Sequence, residues 1–131
     1  MRLLAAMILG AMVLTGCATA PACGPDERAG QTAHLFFGRN IGEAPGVDEA
    51  AFRDFVAREL APRFPNGMTI LDAEGRWSHR GALMAEASKI VILAQEGAID
   101  RAALGAVRAA YRTRFSQESV LQSVSLACLA Y

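Results

Sequence analysis

The longest uninterrupted apolar stretch in this chain lies at its start. Leu3 to Leu14 carries only apolar or small side chains. After residue 31 the pattern changes to short apolar runs alternating with amphipathic segments. "TAHLFFGRNI" (32–41) is rich in aromatic and branched residues and predicts a strand that ends at the loop "GEAPG". In "VDEAAFRDFVARELAPRF", Asp48 is placed to cap a helix. Phe52, Phe55, Val56 and Leu60 recur at helical spacing until Pro62 closes it. "PNG" (65–67) is a turn.

"MTILDAEGRW" and "LMAEASKIVILAQ" predict two strands joined by "SHRGA", a hairpin connection of about five residues. "KIVIL" is apolar on both faces, which places it inside a sheet. "IDRAALGAVRAAYRTRF" predicts a second helix, capped by Asp100, with Leu104, Val107, Tyr111 and Phe115 as its core stripe. "ESVLQSVSLACLAY" is the last strand.

The order is thus β-α-β-β-α-β. Right-handed crossovers turn it into a four-stranded antiparallel sheet with both helices on one face, the ferredoxin-like α+β sandwich. A sheet of the same elements in another strand order satisfies the same pattern. Strand alternation sets Ala33, Leu35 and Phe37 against His34, Phe36 and Gly38. In the last strand it sets Val120, Val124 and Leu126 against Leu121, Ser123, Ser125 and Leu129. The more apolar set of each should face the helices. An open face carrying His34, Phe36, Ser123 and Ser125, with one side of "KIVIL", is then left to be covered by a second copy, a partner protein or a ligand.

The N-terminal run is too short to span a bilayer, which takes about twenty residues, but it suits the apolar region of a secretory signal peptide. It ends in Leu14-Thr15-Gly16-Cys17. This resembles the lipobox of bacterial lipoproteins, which implies diacylglyceryl modification of Cys17 and cleavage between Gly16 and Cys17. An ordinary signal peptide with an incidental cysteine is the competing reading. The expected organisation is a signal peptide over 1–16, a lipidated, Pro- and Gly-bearing tether over 17–31 and a folded domain over 32–131. Ala18 after the cysteine suggests an outer-membrane destination facing the periplasm, if the cell has two membranes. With Cys17 on lipid, Cys23 and Cys128 are left in a compartment where disulfides persist. They either pair or leave Cys128 as a buried thiol.

Lys+Arg and Asp+Glu number 13 each in 131 residues. This balance argues against nucleic-acid binding, which rests on a basic patch. With two histidines and no close His/Cys spacing in the folded part, no metal site is expected. No nucleophile elbow, phosphate loop or dinucleotide fingerprint is present, and no cofactor is expected.

"LFFGRNI", "PRFPNGMTILDAEGRW", "EASKIVIL" and "YRTRFSQESVL" follow one another at spacings that resemble domain of unknown function 3574. That family of bacterial envelope proteins implies a small secreted or lipid-anchored domain and no reaction.

Few side chains hint at chemistry. "GRWSHRG" (75–81) gathers Trp77, His79 and Arg80 at a hairpin tip, suited to a carbohydrate, a phosphate or a headgroup. A Trp folded back over the core is the plainer reading. Arg39 reads as a strand-end arginine in water. Arg101, Arg108 and Arg112 read as a solubilising helix side, or as one facing an anionic membrane. Glu86, Lys89 and Glu118 read as surface or capping charges. The expectation is a membrane-anchored, non-enzymatic module for a ligand or an envelope partner. The alternative is a small cofactor-free enzyme of the dimeric ferredoxin-like type, with His34 as proton acceptor.

Overall fold

The structure is a computed structural model that describes residues 22–131; Gly16 and Cys17 and the expected signal peptide lie outside them. Strand β1 (Arg28–Gly38) leads into a small hairpin of β2 (Asn40–Ile41) and β3 (Ala44–Pro45). Helix α1 (Glu49–Phe55) follows, then β4 (Thr69–His79), β5 (Ala82–Glu96), α2 (Arg101–Phe115) and β6 (Leu121–Leu129). The main sheet runs β4-β5-β1-β6, antiparallel throughout. This is the strand order of the ferredoxin-like sandwich, and it settles the question the sequence left open.

Both helices start where an aspartate can accept backbone protons. Asp48 accepts from Ala51 N at 2.7 Å, and Asp100 accepts from Ala102 N and Ala103 N at 2.8 and 3.0 Å. Each satisfies donors that the first helical turn leaves free. Helix α1 continues into a wide turn over 56–60, closed by Ala61 N donating to Val56 O at 2.9 Å. Helix α2 ends at Ser116, whose φ of 51° turns the chain out of the helix.

The core lies between the helices and one sheet face. Ala33, Leu35, Phe37, Val91 and Leu93 on the sheet meet Phe52, Phe55, Leu104, Val107 and Tyr111, all of them buried. Phe37 touches Phe52, Phe55 and Tyr111 edge-on, with ring centroids 5.8, 5.8 and 4.7 Å away. His34, Phe36, Ile90 and Ile92 stand on the opposite face, which no helix among the described residues covers. Leu126 lies on the helix side but remains 56% exposed, because β6 is an edge strand beyond the reach of α2.

Two boundaries differ from the sequence reading. Strand β1 begins at Arg28, so residues 28–31, assigned above to the tether, pair within the sheet. Gly30 reads as linker by composition, yet a Cβ there would stand 2.3 Å from Gln95 O. It is a glycine because two backbones meet closely. The β4–β5 connection is two residues, not five: His79 pairs with Ala82, and Arg80 and Gly81 turn with φ of 50° and 83°. Positive φ at both central positions matches the hand of a twisted hairpin.

Candidate functional site

Register determines where a site can form. Strand β1 ends opposite Ser88, so the β4–β5 hairpin runs on alone from Ala87 to its turn. The free arm stands beside the loop after β1 and the segment between α2 and β6. A cavity of about 650 Å³ lies between them. Its apolar wall is Phe36, Trp77, Met84 and Leu121. Its polar wall includes Glu43, His79, Glu86, Ser88, Gln117 and Glu118. Trp77, the only tryptophan in the chain, is 42% exposed, and Leu121 is 65% exposed.

The polar wall is partly fixed. Glu86 Oε1 accepts from Asn40 N at 2.6 Å, and Gly38 makes room for its carboxylate: a Cβ there would lie 2.7 Å from both oxygens. Gln117 donates to Asn40 O and to Phe115 O, locking the post-helix segment to the β2 strand. Beneath the cavity, Tyr111 donates its hydroxyl to Gly38 O at 2.7 Å. Burial, reinforced by the nearby Glu86 carboxylate, pushes the Tyr111 phenol well above its ordinary value, so it stays a neutral donor. Arg76 at the rim is paired with Glu74 at 2.6 Å. The lining therefore carries more carboxylates than cations.

The sequence-read candidates divide between places. Phe36 and Leu121 from the open face join Trp77 and His79 from the hairpin around one cavity. His34, Ser123 and Ser125 lie elsewhere on the open face: His34 sits between Ile92 and Ser123, and Ser125 Oγ lies 2.9 Å from Thr32 Oγ1. Arg80 occupies the turn and does not line the cavity. Trp77 lies two residues inside β4, not at the tip, and does not fold back over the core.

Several charges read as solvated are structural. Lys89, the only lysine in the chain, is 6% exposed; its Nζ bridges Asp72 at 2.5 Å and Glu49 at 2.8 Å. It lies on the helix side because the alternation that buries Val91 and Leu93 also buries Lys89. Arg39 is tied to Val47 O and Glu49, both at 2.7 Å, and is not free in water. Arg108 donates to Val120 O at 2.9 Å, so it links α2 to the segment before β6. A lone Lys opening an apolar run was the available signal for the first of these.

Cys23 and Cys128 are joined by a disulfide with Cα atoms 5.5 Å apart. They lie near Glu27, but sulfurs bonded to each other are not thiolate ligands. No helix among the described residues is long and apolar enough to cross a membrane.

A family model described as "Protein of unknown function (DUF3574)" matches residues 32–131. No curated protein matches the sequence. Among solved structures the chain is similar to a phage SAM lyase in complex with S-methyl-5'-thioadenosine. That similarity has a TM-score of 0.59 at 19% identity, covering 87% of this chain and 97% of the other. The apo state of a phage SAM lyase gives a TM-score of 0.53 at 20% identity over 79% and 90%. At these identities the likeness concerns the fold.

Proposed function

The chain belongs to the DUF3574 family, whose description names no reaction, and we propose that it is an exported, lipid-anchored envelope domain that binds a small ligand beside Trp77. The carrying observation is the sole tryptophan, 42% exposed, in the wall of a cavity of about 650 Å³ with Phe36, Met84 and Leu121. Small-molecule sites are concave, mostly apolar and carry a few placed polar groups, within roughly 300–1,000 Å³. A planar ring against the indole, a soft or apolar group against Met84, and donors toward Glu86 and Glu118 satisfy this lining. S-methyl-5'-thioadenosine, the molecule bound by the phage lyase, combines such a ring with a thioether and is the rational first probe.

The anchor reading is supported by the Leu-Thr-Gly-Cys motif at the end of an apolar run of signal-peptide length. Ala18 favours an outer-membrane, periplasm-facing location in a cell with two membranes.

A second reading is an enzyme, favoured by the fold likeness to a lyase over nearly its whole chain. The groups positioned for proton transfer are then His79 and Glu86, because they line the cavity. His34 lies outside it. Native mass spectrometry of the chain isolated from its envelope tests the first reading: a retained small molecule, lost in Trp77→Ala, is expected. Incubation with S-adenosylmethionine tests the second, since a lyase releases S-methyl-5'-thioadenosine and a binding protein leaves the substrate intact.

A further inference from the structure

The open sheet face carries an apolar row that crosses all four strands. Leu71 on β4 pairs with Ile90 on β5, Ile90 with Phe36 on β1, and Phe36 with Leu121 on β6. Leu71 is 45% and Leu121 65% exposed. The neighbouring rows are Thr69–Ile92–His34–Ser123 and Ala94–Thr32–Ser125 on one side, and Ala73–Ser88–Gly38 on the other. None contains Asp, Glu, Lys or Arg, although such residues make up 20% of the chain. Depletion of charge around an apolar centre is the composition of an interface core, not of a solvated surface.

We propose that a second copy of this chain packs on this face, sheet against sheet, with the row Leu71–Ile90–Phe36–Leu121 at its centre. The four strands, of 11, 15, 11 and 9 residues at roughly 3.4 Å per residue and about 4.8 Å apart, present on the order of 700 Å² in all. That approaches the roughly 800 Å² per partner of a standard interface. A small ligand cannot cover a row four strands wide. The occupant must itself be broad, flat and uncharged, and the chain's own face has those properties. Two copies anchored in one membrane also meet at raised effective concentration; this clause rests on the lipid-anchor reading. Phe36 and Leu121 belong both to the row and to the Trp77 cavity. The second copy therefore also walls the open side of that cavity.

Sedimentation equilibrium of the full chain in density-matched detergent tests this, with mass spectrometry of the same sample reporting acylation. A missing lipid and a missing dimer are thereby read separately. The wild type should be a dimer through the micromolar range. Leu71→Arg should be monomeric with an unchanged circular dichroism spectrum, because Leu71 is exposed and does not line the cavity. Leu83→Arg, 71% exposed on the other face of the β4–β5 hairpin, should remain dimeric. A monomeric wild type, or a Leu71→Arg variant that stays dimeric, overturns the proposal. So does an unacylated chain that remains monomeric and floats with phosphatidylethanolamine vesicles, since that makes the face a membrane surface.

Discussion

Cys23 is bonded to Cys128 across a sequence separation of 105 residues, which ties the segment before β1 to the end of β6. Cys128 stands directly opposite Ala29 in the β1–β6 ladder, so the bond closes the sheet at the pole away from Trp77. In the chain-entropy account, removing so long a loop closure costs about 4–5 kcal/mol. Cys128→Ser, or reduction of the wild type, should lower the thermal midpoint by on the order of 20 °C. Equal midpoints with and without reductant would show that the bond contributes nothing to stability.

The same bond shortens the expected tether. Only five residues lie between Cys17 and Cys23, a reach of at most about 20 Å. The wild type should incorporate radiolabelled palmitate and partition with membranes, whereas Cys17→Ala should do neither. Equal labelling of both forms, or recovery of the intact Met1 terminus, would contradict the anchor.

Lys89 makes the fold sensitive to acid. Its hydrogen bonds, more than its charge, hold the Asp72 and Glu49 carboxyls below their ordinary values of 3.8 and 4.5. The folded state therefore binds those protons later than the unfolded chain. The resulting stability is complete above the ordinary carboxylate range and is lost as pH falls through the depressed folded values. Lys89 itself is raised above 10.5, mainly by its hydrogen bond to Asp72, so its contribution is lost only as strong alkali is reached. Denaturant midpoints measured from neutral pH into acid should fall steeply for the wild type and less steeply for Lys89→Met. Identical slopes would remove this pair from the acid response.

Tyr111 supports the cavity floor through a single bond to Gly38 O. Tyr111→Phe keeps the ring in its aromatic cluster and leaves that carbonyl without its donor. A cost of about 1–2 kcal/mol is expected in denaturant unfolding. A loss below a few tenths would mean that the Gly38 carbonyl finds another donor.

Much of the fold is legible in the residues. Asp48 and Asp100 cap as their positions imply, the stripe Leu104, Val107, Tyr111 and Phe115 is buried, and alternation in β1 separates Phe37 from Phe36 onto opposite faces. The cavity was not legible as one place. It exists because β4 and β5 outrun β1 at Gly38, and nothing local to Trp77 or Phe36 encodes where a strand about forty residues upstream or downstream stops. The two-residue turn was hidden because Arg80 adopts a positive φ usually left to Gly or Asn. Lys89 was hidden because its ion pairs come from Asp72, fixed by cross-strand register, and from Glu49 on the opposite layer.

Trp77 is both the centre of the proposed site and the only tryptophan, so its emission tests the central claim directly. Titration of the full chain with S-methyl-5'-thioadenosine should give a saturable change in Trp77 emission and protection from acrylamide quenching. Met84→Asp, which charges the apolar wall, should weaken both. Emission that stays flat with this nucleoside and with a planar uncharged dye, while the chain remains folded, would contradict a ligand site beside Trp77.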